Sequence, residues 1–239
     1  MSTVVLVSDF KLSNVSFKEP KKNAVGGQSV LLNYYNETTK KNGPLVIQTP
    51  RMRLPFGSDC SDSDNGVKKY SVNAALALSD SNNSNLKLFT DSIRSLDETT
   101  KKYAVDNSEL WFGKKQKPEV IEEFYKSAEK KSKNEKYAST LKLKLPFKTI
   151  GEKSVPQFDI YNESKEIVNI LQGSEVDLSC LEKGSDIVAV IQCTGVYFIG
   201  KSQFGIGFKL LKGRVYQGNL LKNIDIIDDE DGEEVYEDF

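Results

Sequence analysis

The chain has 239 residues, 38% hydrophobic and 28% charged, with twelve Phe and ten Tyr; this composition excludes a disordered chain and predicts a soluble folded body. It contains no His, which removes the commonest general base, the commonest zinc ligand and every Ser-His or Cys-His nucleophile pair. The net charge of −1 hides a division at Asn223: of 34 Asp and Glu, nine follow it and 25 precede it, so 33 Lys and Arg leave the body at +8 and the terminus at −9. A basic body carrying an anionic end points to a polyanionic partner or an interaction tail.

The opening "MSTVVLVSDF" has a short apolar run, Val4 to Val7, with no base before it. It does not read as a secretory signal, and no run of eighteen apolar residues follows that would suit a membrane. Residues 1–28 are expected to form an N-terminal extension, and 29–223 a single nucleic-acid-binding domain. From Ser29 to Ser79 short β segments alternate with turn signals such as "KKNGP" and "SDCSDSDNG". In "LVIQTPRMRLPFG" simple alternation puts Val46, Gln48, Pro50, Met52 and Leu54 on one face and Leu45, Ile47, Thr49, Arg51 and Arg53 on the other. Pro50 requires an edge or an irregularity there, because it has no N–H to give to a ladder.

The period changes after Asn85, where Phe89, Ile93, Leu96, Thr100 and Tyr103 keep the spacing of one helix face. Pro118 is a favoured first-turn residue and starts a second helical stretch, with Val120, Ile121, Phe124, Tyr125 and Ala128 turned inward. The helical insertion is expected over about 85–130. Strand patterning returns in "TLKLKLPFK", where Leu141, Leu143 and Leu145 face the core and Lys142 and Lys144 face solvent. It continues through "QFDIY", "KEIVNIL", "DIVAVIQC" and "VYFIGKSQFGIGFKLLKGRVY". In the last of these Phe204, Ile206, Phe208 and Leu210 share a face opposite Lys209, and the side taken by Lys212 and Arg214 depends on whether Gly213 bulges the strand. The fold class expected is mainly β (α+β): an OB-fold-like small barrel with a helical insertion and a disordered acidic tail over 224–239.

Little supports catalysis. "SDCSDSDNG" misses EF-hand spacing, since Gly66 falls one place early from Asp62 and Asn73 stands where a bidentate Glu is needed. "GIGFKLLKG" lacks the third glycine of a dinucleotide loop. Cys60, Cys180 and Cys193 give neither a disulfide framework nor a CxxC metal pattern, and fit a reducing compartment. What recurs is cation and aromatic interleaved: Arg51, Arg53 and Phe56; Trp111 with Lys114 and Lys115; Lys142, Lys144 and Lys148; Tyr197, Lys201, Phe204, Lys209, Lys212 and Arg214. Single-stranded nucleic acid needs both types, positive charge for phosphates and rings for unstacked bases. These fifteen residues are the candidate DNA-binding set; no residue is assigned to catalysis, a metal or a cofactor.

Two stretches, "GPLVIQTPRMRLPFG" (Gly43 to Gly57) and "GVYFIGKSQFGIGFKL" (Gly195 to Leu210), resemble the single-stranded DNA-binding proteins of nucleo-cytoplasmic large DNA viruses, which are similar in turn to those of short-tailed bacteriophages. The resemblance implies an OB-fold with a helix between its third and fourth strands and an acidic tail ending in Phe. It also implies sequence-tolerant binding of single-stranded DNA in viral replication, recombination and repair, without catalysis, in the cytoplasmic factory or nucleus of an infected cell. The tail role falls on Asp225 to Phe239, chiefly Asp228, Asp229, Glu230, Asp231, Glu233, Glu234, Tyr236, Glu237, Asp238 and Phe239. In such proteins the tail competes with DNA for the groove and meets a polymerase, helicase or primase, and a homodimer is a further expected partner. The competing reading is a non-enzymatic viral structural or histone-binding protein that works through its acidic tail.

Overall fold

The computed structural model describes residues 4–22, 27–62, 66–77, 84–134, 136–151, 153–173, 175–200 and 202–217. The first strands are β1 (Val5–Leu6), β2 (Val15–Lys22), β3 (Gln28–Asn36), β4 (Lys41–Pro44), β5 (Val46–Gln48), β6 (Met52–Arg53), β7 (Ser58–Asp62) and β8 (Lys68–Ala75). The helical insertion consists of α1 (Ser84–Asp106), α2 (Ser108–Phe112) and α3 (Pro118–Phe124). After it come β9 (Tyr125–Lys126), β10 (Glu129–Lys130), β11 (Thr140–Leu145), β12 (Phe147–Ile150), β13 (Lys153–Pro156) and β14 (Asp159–Tyr161). The chain continues through β15 (Leu171–Gln172), β16 (Glu175–Val176), β17 (Asp186–Ile199) and β18 (Gln203–Tyr216). Of the expected "KEIVNIL" strand only Leu171 is in a strand, with one bridge from Ile167 to Tyr161.

β17 and β18, fourteen residues each, form a long antiparallel hairpin that organises the rest. The free edge of β17 takes β6, β5 and β3 in turn, and that of β18 takes β14, β11 and β9. β11 extends the sheet to β8 and then β7, while β1 lies on β5. Among the described residues this path runs from β1 to β7 without joining its ends. The molecule is mainly β with a helical insertion, and the sheet is open where a closed barrel was expected. β12–β13 and β15–β16 are separate two-stranded hairpins.

The sheet's inner face carries Ile187, Ala189 and Ile191 from β17, Phe204, Ile206, Phe208 and Leu210 from β18, and Leu141, Leu143 and Leu145 from β11, all buried. The expected stripe of α1, Phe89, Ile93, Leu96 and Thr100, is buried in the same core. Each such Leu, Ile or Phe side chain removed from water contributes about 1.5–3 kcal/mol. The tight spot is Gly195, at φ +90, where an added Cβ would meet the Val30 carbonyl oxygen of β3. Only glycine suits both the conformation and the approach.

Helix α3 stops at Phe124, four residues short of the stripe expected to Ala128. From there the backbone is claimed by other partners: Tyr125 and Lys126 pair with Phe204 and Gly205, and the Ala128 N–H donates to Asp97. Asp97 is 4% exposed in mid-helix, an expensive place for a charge unless donors surround it. The Tyr125 hydroxyl donates to its Oδ1 and the Ser127 hydroxyl to its Oδ2, both at 2.6 Å. Burial nevertheless outweighs these bonds and raises the Asp97 pKa. One turn away Arg94 donates Nε to Oε2 of Glu129 at 2.7 Å and Nη2 to Oε1 at 2.8 Å, and the Ser139 hydroxyl adds a bond of 2.6 Å. The two carboxylates bolt α1 to β9 and β10.

The bonds from Arg94, followed by that from Ser139, hold the Glu129 carboxyl below the usual glutamate range against the effect of its burial. A depressed folded-state pKa stabilises above the ordinary glutamate value and is lost as pH falls through the folded one. Glu129→Gln should therefore cost about 1–3 kcal/mol at neutral pH. Urea titrations across the acid range should show its deficit against wild type shrinking as pH falls.

Candidate nucleic-acid interface

On the outer face of the sheet, β11 exposes Lys142 and Lys144 between its buried leucines, as the alternation predicts. Lys144 lies level with Lys209 of β18, and Lys209 level with Gln192 of β17, so the two lysines share the outer face. The side taken by Lys212 and Arg214 is decided by a bulge, though not at Gly213. Ile191 pairs with Leu210 and Val190 with Lys212, leaving Leu211 as the extra residue. Gly213 and Val215 are buried, and Lys209, Lys212, Arg214 and Tyr216 stay on one side. Without that extra residue the period-2 rule would turn Lys212 and Arg214 into the core.

Above this face opens a groove of about 1140 Å³, lined by Lys68, Lys69, Lys142, Lys144 and Lys209. Its walls include Tyr70 and Phe147, whose rings lie 5.0 Å apart, and residues of β12, β13 and β16. Tyr197 is half-buried on the same side, with Lys144 Nζ 5.5 Å from its ring centre. The "GIG" of the sequence finds its use here. A Cβ on Gly205 would meet the Lys126 carbonyl oxygen of β9 and stand 3.0 Å from the Tyr197 hydroxyl, and one on Gly207 2.7 Å from Thr194 Oγ1, so the missing side chains make room for the approach of β9 as well as for the ring.

Among the described residues none of the five groove lysines has an ion-pair partner within 4.0 Å. The side chain as a whole is exposed, but partial desolvation of its ammonium in the groove, then the charges of Lys142 and Lys69, hold the Lys144 pKa below the usual lysine range. Like charges gathered without ion-pair partners are a standing repulsion that a polyanion relieves. The flanking outer face is partly neutralised: Arg51 Nε lies 3.0 Å from Asp186 and Lys212 Nζ 3.7 Å from Asp159. These two cations also cover rings, Arg51 at 4.1 Å from the Tyr216 centre and Lys212 at 5.7 Å from that of Tyr161.

The fifteen sequence candidates therefore divide. Lys142, Lys144 and Lys209 line the groove, Tyr197 adjoins it, and Lys212 and Arg214 extend its face along β18. Arg51 and Arg53 reach the far end of that face, since Arg53 pairs with Asp186. The single alternation expected through Pro50 breaks: Ile47 of β5 and Thr49 just after it are buried, but Met52 and Leu54 are buried after the proline, leaving both arginines outside. Phe56, 68% exposed, borders a smaller notch that shares Tyr70 and Val176 with the groove. Lys148 is exposed on β12, where its neighbour Thr149 is the one that lines the groove. Lys114 and Lys115 are exposed beyond α2, on the helical insertion.

Two candidates are corrected. Trp111 and Phe204 are core residues, 3% and 0% exposed, with ring centres 6.1 Å apart in a cluster that includes Phe112 and Phe198. Their spacing is that of any inward strand or helix position, which outweighs the lysines beside them. Lys201 and the tail candidates Asp228 to Phe239 lie outside the described residues. Sequence reasoning missed Lys68, Lys69 and Tyr70, although "VKKYS" interleaves cation and ring as "TLKLKLPFK" does.

Among the described residues no group of three or more His, Cys, Asp or Glu is placed to hold a metal ion. No described helix is long and apolar enough to cross a membrane. No family model matches the chain, and no curated protein matches it. A search of solved structures finds similarity to gp2.5, a single-stranded DNA binding protein encoded by bacteriophage T7, at TM-score 0.46 and 9% identity, over 76% of this chain and 98% of that one.

The burial of Trp111, the chain's one tryptophan, makes its fluorescence a clean reporter. Emission should be blue-shifted, resist quenching by acrylamide, and stay nearly constant when single-stranded DNA is added; strong quenching by DNA would place the ring at the interface. For Lys144 the sign is equally definite. An anion in the groove raises its depressed pKa, so binding takes up protons and weakens as pH climbs toward the lysine range. Calorimetry at alkaline pH, in buffers of different ionisation enthalpy, should detect the uptake in wild type and less of it in Lys144→Gln.

Proposed function

We propose that this protein binds single-stranded DNA without strong sequence preference and performs no chemistry on it. The observation that carries the reading is the groove itself: five lysines unpaired among the described residues, over a sheet face edged by Tyr70, Phe147 and Tyr197. Phosphates bind there by counterion release and bases by stacking, which is tolerant of sequence because every base has a π-face. The two sequence motifs fit this placement, since one supplies Arg51, Arg53 and Phe56 and the other the Tyr197 and Lys209 strands. In this reading the body is an opened variant of the OB-fold-like architecture, spanning about 29–223 with its insertion. The nine carboxylates after Asn223 act as a tethered competitor for the groove and as a contact for replication proteins, in viral DNA replication, recombination and repair.

The test is binding to an unstructured oligonucleotide at several salt concentrations. Log K should fall steeply with log salt, and Lys142→Ala with Lys144→Ala should make the slope shallower by roughly 1.4, about 0.7 per lost phosphate contact. Lys114→Ala with Lys115→Ala should leave the slope unchanged, because those residues lie on the helical insertion. Deleting residues 225–239 should strengthen binding at low salt. A groove variant that binds as wild type does would remove the assignment, and an unchanged deletion variant would remove the competing tail alone.

A further inference from the structure

The groove contains one charge of the wrong sign. Among the described residues Glu175 is the single carboxylate in its lining, against Lys68, Lys69, Lys142, Lys144 and Lys209. It sits at the start of β16, level with Gln172, on a hairpin outside the main sheet, and its side chain is exposed. No described lysine lies within ion-pair distance of it. It therefore does not serve to neutralise the floor of the groove. A carboxylate repels a phosphate wherever the two meet, so a strand held by the lysines must present something else to this wall. What a single strand has left to present is sugar and base edge, and its Watson–Crick edges are free.

We infer that Glu175 is a specificity-determining residue: it accepts hydrogen bonds from the donor edges of bases while the lysines opposite hold the backbone. This rests on reading the groove as the path of single-stranded DNA. A carboxylate is acceptor-only, so the four bases are unequal to it. Guanine offers adjacent N1–H and N2–H₂ donors, cytosine and adenine each offer one amino group, and thymine offers a lone N3–H between two carbonyl oxygens that repel the carboxylate. Cytosine N4 is an established partner for Glu in duplex recognition. The binding mode stays tolerant, with a bias against thymine superimposed on it.

The experiment compares oligo(dC) and oligo(dT) of equal length by fluorescence anisotropy at one salt concentration, using the full chain, Glu175→Ala and Glu119→Ala. Glu119 is an exposed carboxylate in the first turn of α3 and controls for lost charge. The ratio Kd(dT)/Kd(dC) is expected to fall about threefold to tenfold in Glu175→Ala, the size of one charge-assisted hydrogen bond near solvent, and to hold in Glu119→Ala. Equal tightening of both oligonucleotides by Glu175→Ala would mean that Glu175 only repels phosphate, and would overturn the inference. So would an equal shift of the ratio in Glu119→Ala. If wild type binds neither oligonucleotide, the groove reading itself falls and takes this inference with it, a result distinct from an unchanged ratio.

Discussion

The pairing of β17 with β18 is the constraint on which the rest of the molecule depends. Two strands of fourteen residues are long enough to receive three partners on each outer edge, so the hairpin fixes the mutual positions of segments far apart in sequence. Its two register shifts, at Leu211 and at Thr194, do more than relieve strain. Each extra residue resets which face a side chain occupies. The first keeps Lys209, Lys212 and Arg214 on the solvent side, and the second places Tyr197 beside Lys144. A regular hairpin of the same composition would bury part of the cationic row and lose the ring beside it.

The helical insertion is joined to this hairpin by polar groups as well as by packing. Asp97 and Glu129 are both buried, and their pKa values move in opposite directions for a clear reason. Glu129 meets a guanidinium, whose charge offsets the desolvation of the carboxylate. Asp97 meets only neutral donors, the hydroxyls of Tyr125 and Ser127 and the N–H of Ala128. The first link is strongest where the carboxylate is charged; the second tolerates its protonation. Through Tyr125 and Lys126 the same clasp reaches Phe204 and Gly205, the floor beneath Tyr197.

Much of the fold was legible wherever periodicity was strict. "TLKLKL" gave a strand with Lys142 and Lys144 outward, and the α1 stripe was readable from Phe89 to Thr100. Legibility failed where a local irregularity changed the phase. Alternation through Pro50 put Arg51 on the side of Ile47, but the proline breaks the strand and reverses which residues are buried. The bulge at Leu211 has no glycine to announce it, and the glycine that is present, Gly213, keeps its regular place in the ladder. At the site the sequence showed which residue types were needed but not which faces they occupied. Phe204 and Trp111 have the same composition around them as Tyr197, and only the packing of the helical insertion on the inner face separates core rings from a groove ring. Lys68 and Lys69 gained significance from β11, seventy residues on, which no local pattern reveals. Closure of the barrel was equally invisible, because it depends on whether distant edges meet.

Among the described residues those edges do not meet, and β7 is left at the end of the main sheet path with β8 as its one described partner. All five of its side chains are exposed, and Asp59 and Asp62 are among them. An open edge invites another chain to add a strand, and two copies meeting there would bring four aspartates together. The cost of leaving the sheet open is thus met by a charge that works against a second copy pairing its own β7 there.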